Sequence, residues 1–147
     1  MPAENKHLVR RLFLELWNQR KLTVAHEIFA PNYVHHDPTT PDFGQGPEAV
    51  KQSAVLCRRA LPDLLFTIDQ IIEAGQFITT RFTANGTHKG HLRGIAPTNN
   101  AIRVEGIVIN RISRGRIAEG WVLWDALGLM QQLRAVSPLE QARAQAK

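Results

Sequence analysis

The chain has 147 residues, 44% of them hydrophobic and 21% charged, with a formal net charge of +5. That length suits one domain able to bury most of its apolar surface, and the composition excludes a low-complexity or disordered chain. Cys57 has no second cysteine to pair with, which excludes a disulfide framework and a four-cysteine zinc site.

The N-terminal residues Met1 to Lys6 run directly into an amphipathic pattern without an apolar signal core. No uninterrupted apolar run reaches about 18 residues. A cytoplasmic protein without a membrane partner is expected. The arginines are scattered over Arg10-Arg11, Arg58-Arg59 and Arg111, Arg114 and Arg116, without interleaved aromatics or a reading helix. They describe a solvated basic surface, not a nucleic-acid partner.

Leu8, Val9, Leu12, Phe13, Leu16 and Trp17 recur in pairs four apart, the spacing of one helix face. A short helical turn around Val24 to Phe29 precedes Pro31, and Tyr33-Val34-His35-His36-Asp37-Pro38 leads into a loop with Pro41, Gly44 and Gly46. Pro47 suits a first helical position, and a stripe of Val50, Ala54, Cys57 and Leu61 runs on to Pro62. That stripe makes Cys57 a small core residue.

The period then changes. Leu64 to Glu73, Phe77 to Ala84, Ala101 to Ile112 and Ile117 to Asp125 are rich in Ile, Val, Thr and Phe. They are separated by Gly75, Asn85-Gly86, the loop Gly94 to Asn100 and the Arg114-Gly115 turn, which predicts a meander of four strands. Helices followed by antiparallel strands mean an α+β fold with the helices on one side of a curved sheet. Alternation puts Trp121, Leu123 and Asp125 on one face of the last strand and Val122 and Trp124 on the other. Bulky groups on both faces predict a strand covered on both sides, with Asp125 in apolar company.

An aspartate so placed loses solvation of its charged form and becomes a candidate base. It equally suits the cap of a helix from Ala126 to Leu133. His36 and His88 are candidates to orient a carbonyl or carry a proton. His88-Lys89-Gly90-His91 lacks a carboxylate at ligand spacing, so no metal is expected. Arg81 and Glu105 interrupt apolar strands and are either exposed or paired in a pocket. Trp17, Tyr33, Phe77, Trp121 and Met130 read as core or pocket wall. There is no nucleophile elbow, phosphate loop or dinucleotide fingerprint.

Several motifs occur in an order that resembles the SnoaL-like polyketide cyclases. In the first half they are Trp17-Asn18, Phe29-Ala30-Pro31, Tyr33, His36-Asp37-Pro38, Gly46 with Glu48, and Leu61-Pro62-Asp63. In the second they are Arg81-Phe82-Thr83, Gly86 to Gly90, Gly94 to Thr98, Arg116 to Glu119, Trp121 to Asp125, Gly128-Leu129 and Gln132-Leu133. The resemblance spans residues 5–134, leaving 135–147 as a polar tail, and departs from the pattern at Asn99-Asn100 and Gly120.

It implies a cone-shaped fold of the nuclear-transport-factor-two-like kind, commonly a homodimer through the sheet, and acid–base catalysis without a cofactor. Asp125 would handle the proton next to a carbonyl of a hydrophobic small molecule, and the enolate would close a ring by intramolecular aldol attack. A non-catalytic binding module is the alternative, since one fold hosts many functions. So is an epoxide hydrolase or ketosteroid isomerase, the former needing an inward carboxylate–arginine pair such as Glu105 with Arg81.

Overall fold

The computed structural model describes residues 2–135, so the tail expected over 135–147 lies, from residue 136 onward, outside the described residues. The first helix, α1 (Pro2–Arg11), continues without a break into a π-helical segment, Leu12–Asn18. There the Gln19 amide donates to the Leu14 carbonyl, five residues back, at 3.0 Å. A π turn is wider than an α turn and is frequent at functional sites. Here it presents Leu12, Phe13 and Trp17 to an internal cavity.

The chain then forms α2 (Val24–Ile28), β1 (Phe29–His36), α3 (Pro47–Ala60), β2 (Leu65–Ala74), β3 (Phe77–Thr87), β4 (Ala101–Ser113), β5 (Arg116–Trp124) and α4 (Ala126–Gln132). The four strands of the meander are present, in the sheet order β1-β5-β4-β3-β2. β1 was not expected: residues 29–36 read as the end of a helical turn followed by a loop. Pro31 has no N–H to give a ladder, and the strand that carries it lies at the sheet edge, paired with β5 alone and in parallel.

The architecture is α+β, with helices packed into the hollow of the curved sheet. Ile28, Phe29, Ile78 and Ile117 are at most 2% exposed in a core shared with Val9, Phe13 and Leu16. Each side chain of that size contributes about 1.5–3 kcal/mol on full burial. Asn18 ties the end of the first helix to β2 by a double hydrogen bond: its Nδ2 donates to the Phe66 carbonyl at 2.9 Å and its Oδ1 accepts from the Phe66 amide at 2.8 Å.

β4 decides which residues face inward. Ile102, Val104, Val108, Asn110 and Ile112 are buried, whereas Arg103, Glu105, Ile107 and Ile109 are exposed. The pairs Val108 with Val122 and Asn110 with Gly120 pass this parity to β5. Gly120, Val122 and Trp124 therefore face the hollow, and Trp121, Leu123 and Asp125 face outward, because successive side chains in a strand alternate between faces. Leu123 is 70% exposed. The expectation that both faces of β5 are covered, with Asp125 buried among apolar groups, is corrected by this parity.

Candidate active-site cavity

Between the helices and the inward face of the sheet lies a cavity of about 900 Å³. Its wall is mainly apolar, from Phe13, Trp17, Phe29, Phe66, Phe82 and Trp124, and its volume matches that of pockets for drug-sized molecules. Polar groups reach it from β1 and the loop after it, from Arg93, and from Asn110 on β4.

Tyr33 is 4% exposed, its ring held at 4.5 Å from that of Phe29, and its hydroxyl lies 2.9 Å from His35 Nδ1. Burial drives the Tyr33 phenol well above its ordinary value, with the charge of Glu119 adding to the shift. Near neutral pH it keeps its proton and can donate a hydrogen bond. His35 borders the open side of the cavity and is accessible there, yet it is flanked by protein. Lost solvation lowers its pKa below the ordinary 6.5, Asp37 opposing and His36 reinforcing the shift. Near neutral pH its imidazole is uncharged, as a base requires.

Asp37 accepts from the Thr39 amide at 2.8 Å and the Thr39 hydroxyl at 2.6 Å through Oδ1, and from the Trp124 indole N–H at 3.3 Å through Oδ2. The guanidinium of Arg93 stands 5.3 Å from the Trp124 ring centroid, a cation–π arrangement. Trp124 is thus held from both sides in the cavity wall.

Asn110 is 1% exposed, and neither Oδ1 nor Nδ2 has a hydrogen-bond partner among the described residues. Opposite it, Gly120 lets the Tyr33 hydroxyl pack against the strand. A Cβ there would lie 2.5 Å from the Tyr33 hydroxyl and 3.0 Å from Asn110 Oδ1.

Of the residues singled out from the sequence, Trp17 and Tyr33 line this cavity. His36 borders it, but its ring turns to the outer face. There it stacks on Trp121 at 5.4 Å and meets Glu119 Oε2 at 2.7 Å through Nε2. Arg111 completes that outer cluster at 3.2 Å from Glu119, and His36 and Arg111 together hold the Glu119 carboxyl below its usual range.

His88 is fully buried away from the cavity. Its Nδ1 accepts from the Thr98 amide at 3.2 Å. It pins the loop before β4. Met130 packs in the second apolar cluster with Leu129 and Leu133 without lining the cavity.

Phe77, Arg81, Glu105 and Trp121 lie on the outer face with Asp125, away from the cavity. Arg81 reaches Asp69 at 3.9 Å and Glu105 reaches Arg103 at 3.8 Å, so the two do not form the inward pair considered from sequence. The exposed Asp125 takes the cap role: its Oδ1 accepts from the Gly128 amide at 2.8 Å at the start of α4, and a Cβ at position 128 would run into its carboxylate.

Sequence reasoning missed His35, Asn110, Asp37 and Arg93 as cavity groups, and Cys57 lines the cavity instead of lying wholly in the core. Among the described residues no three His, Cys, Asp or Glu side chains gather into a set able to hold a metal.

The sequence profile of the SnoaL-like polyketide cyclase family matches residues 7–133. The chain belongs to this family. TsrD from Streptomyces laurentii is 25% identical, with a TM-score of 0.83 over 92% of this chain and 98% of that one. A candidate polyketide cyclase from Acidithiobacillus ferrooxidans is 26% identical, with a TM-score of 0.81 over 91% and 96%. IdmH from Streptomyces antibioticus, also a candidate polyketide cyclase, is 26% identical, with a TM-score of 0.76 over 88% and 98%. No curated protein matches the chain.

Much of the SnoaL-like motif does structural work in this chain. Asn18 holds β2. Asp63 accepts from the Thr87 amide and hydroxyl, both at 2.7 Å. His88 fastens Thr98, and Asp125 caps α4.

Proposed function

We propose that this SnoaL-like protein is a cofactor-free acid–base enzyme that closes a ring in a hydrophobic, carbonyl-bearing small molecule by an intramolecular aldol step. The observation that carries this reading is the Tyr33–His35 hydrogen bond at the mouth of a large apolar cavity, with His35 held neutral. When His35 Nδ1–H donates to the Tyr33 oxygen, Nε2 is free to take a proton next to a carbonyl. The Tyr33 O–H is then free to donate to the oxygen on which charge develops. The enolate carbon attacks a second carbonyl of the same molecule, one C–C bond forms, and the new alkoxide takes the proton from His35. Substrate and product are isomers, so no further reactant is needed. The apolar wall folds the chain and keeps water from the enolate.

The test is α-proton exchange of 1-tetralone in D2O, followed by proton NMR. Faster deuterium incorporation with the protein than without it supports the enzyme. Binding of the ketone with no acceleration would leave the non-catalytic binding module as the better reading.

The pH dependence has a definite sign. With the folded-state pKa of His35 below its unfolded value of 6.5, the unfolded chain binds the extra proton first. The stability that His35 contributes is therefore complete above 6.5 and is lost as pH falls toward the folded value. The same depression places the acid limb of the exchange rate below pH 6.5. A limb centred above 6.5 would remove His35 from the base role.

The outer face supports self-association with a second copy. Ile107, Ile109, Trp121 and Leu123 expose 36–70% of their surface on adjacent strands, and Phe77 extends the patch at 6.5 Å from the Trp121 ring. Leu123→Asp should convert a dimer into a monomer in sedimentation velocity without lowering the melting temperature of the monomer. A variant that sediments as the parent does would exclude this face.

A further inference from the structure

Arg93 is the one arginine or lysine among the described residues that line the cavity. The segment that carries it, between β3 and β4, is fastened at its base. The Lys89 and Gly90 amides donate to the Ala60 carbonyl at 3.0 and 3.1 Å, and His88 pairs with Asn99 and Asn100 through two backbone bonds of 2.9 Å. At the tip, Leu92 and Ile95 exchange backbone bonds of 3.0 and 2.8 Å around Arg93-Gly94, whose φ angles are 51° and 79°. Positive φ at both central positions marks a type I′ turn, for which Asn-Gly is the favoured pair.

From this turn the guanidinium reaches the face of Trp124, whose indole N–H is itself held by Asp37. Its five N–H donors meet no acceptor among the described residues. The two carboxylates of the cavity wall are engaged elsewhere, Asp37 by Thr39 and Trp124 and Asp42 by the Gly44 amide at 2.8 Å. Arg81, Arg103 and Arg111, in contrast, each meet a carboxylate on the outer face. The charge of Arg93 is felt across the cavity at Cys57 on α3, where it opposes the rise that burial causes in the thiol. A planar fork with unspent donors beside an apolar wall matches a bidentate anion.

We propose that Arg93 is the anion-recognition group of the cavity, and that the substrate carries a free carboxylate which the guanidinium fork holds while its body lies against the apolar wall. The inference rests on the cavity being the substrate site and narrows its substrate class from any hydrophobic ketone to a keto acid. One cation balances one negative charge. A phosphate dianion would leave charge uncompensated beside Asp37 and Asp42, so a carboxylate fits better. The Trp124 face settles the fork in advance, and less freedom is then lost on binding.

The probes are 1-naphthoate and 1-acetonaphthone, which share an aromatic body and differ in bearing a carboxylate or a neutral methyl ketone. Their affinities are measured near neutral pH by isothermal titration calorimetry for the full chain, Arg93→Asn, Arg93→Gly and Arg114→Asn. The wild-type protein should bind 1-naphthoate about tenfold more tightly than 1-acetonaphthone, the scale of a hydrogen bond to a charged group. Arg93→Asn and Arg93→Gly should bring that ratio to one or below by weakening 1-naphthoate alone. Both residues suit the turn, so neither variant should melt below the wild type, a combination that a purely structural Arg93 would not give.

Arg114-Gly115, with φ of 52° and 74°, repeats the same pair in the β4–β5 turn away from the cavity. Arg114→Asn removes an equal charge there and should leave both affinities at the wild-type values. Equal wild-type affinities for the two compounds overturn the anion subsite and leave the cavity reading intact. Preference for 1-naphthoate that survives in both Arg93 variants also overturns it, as does a preference lost equally in Arg114→Asn. No binding of either compound to the wild type overturns the cavity reading and the subsite with it.

Discussion

Replacing His35 by Gln should slow protein-catalysed exchange of 1-tetralone α-protons by about a hundredfold or more, the usual contribution of a positioned acid–base group. Gln can keep a hydrogen bond to Tyr33 but cannot take the proton, so binding of the ketone and the melting temperature should change little. Asp125→Asn provides the contrast. That side chain caps α4 on the outer side, and Asn caps a helix about as well as Asp, so stability should change little and the exchange rate should stay near the wild-type value. If Asp125→Asn abolishes exchange and His35→Gln does not, the base lies at position 125 and the cavity assignment fails.

Phe29→Ala should have the largest effect on stability. Phe29 is 2% exposed and sits where β1 begins, so the truncation leaves a cavity in the core and should cost about 3–5 kcal/mol, read as a lower denaturant midpoint. It also removes the ring that holds Tyr33 at 4.5 Å. Activity should therefore fall further than the folded fraction does. A loss of activity that only tracks unfolding would mean that Tyr33 keeps its place without Phe29.

Composition, the helical stripes and the four-strand meander make the α+β class legible in the sequence. The ordered motifs made the family legible too. β1 was not, because Pro31 and the polar run Asn32 to His36 carry turn signals, and only pairing with β5 makes the segment a strand.

The face of β5 was misread for a different reason. Judged alone, its bulky residues at every position gave no parity. β4 did carry the parity, since Ile102, Val104, Val108 and Ile112 alternate with Arg103, Glu105 and Arg111. Extending it across the short Arg114-Gly115 turn would have put Val122 and Trp124 inside and Asp125 outside, because a one-residue slip exchanges every side chain between faces. It would also have singled out Asn110 as the polar member of an apolar row. The same ambiguity separates His36 from His35. Adjacent residues on one strand point to opposite sides, and nothing in the local sequence said which side was the hollow.

The three tryptophans provide the most direct test of the account, because Trp17 and Trp124 line the cavity and Trp121 lies on the outer face. Titrating 15N-labelled protein with 1-tetralone and following the three indole N–H signals reads both faces at once. The cavity assignment predicts that the Trp17 and Trp124 signals shift with saturation while Trp121 stays in place. Movement of Trp121 together with the Asp125 and Gly128 amides, with Trp17 and Trp124 unchanged, would contradict it.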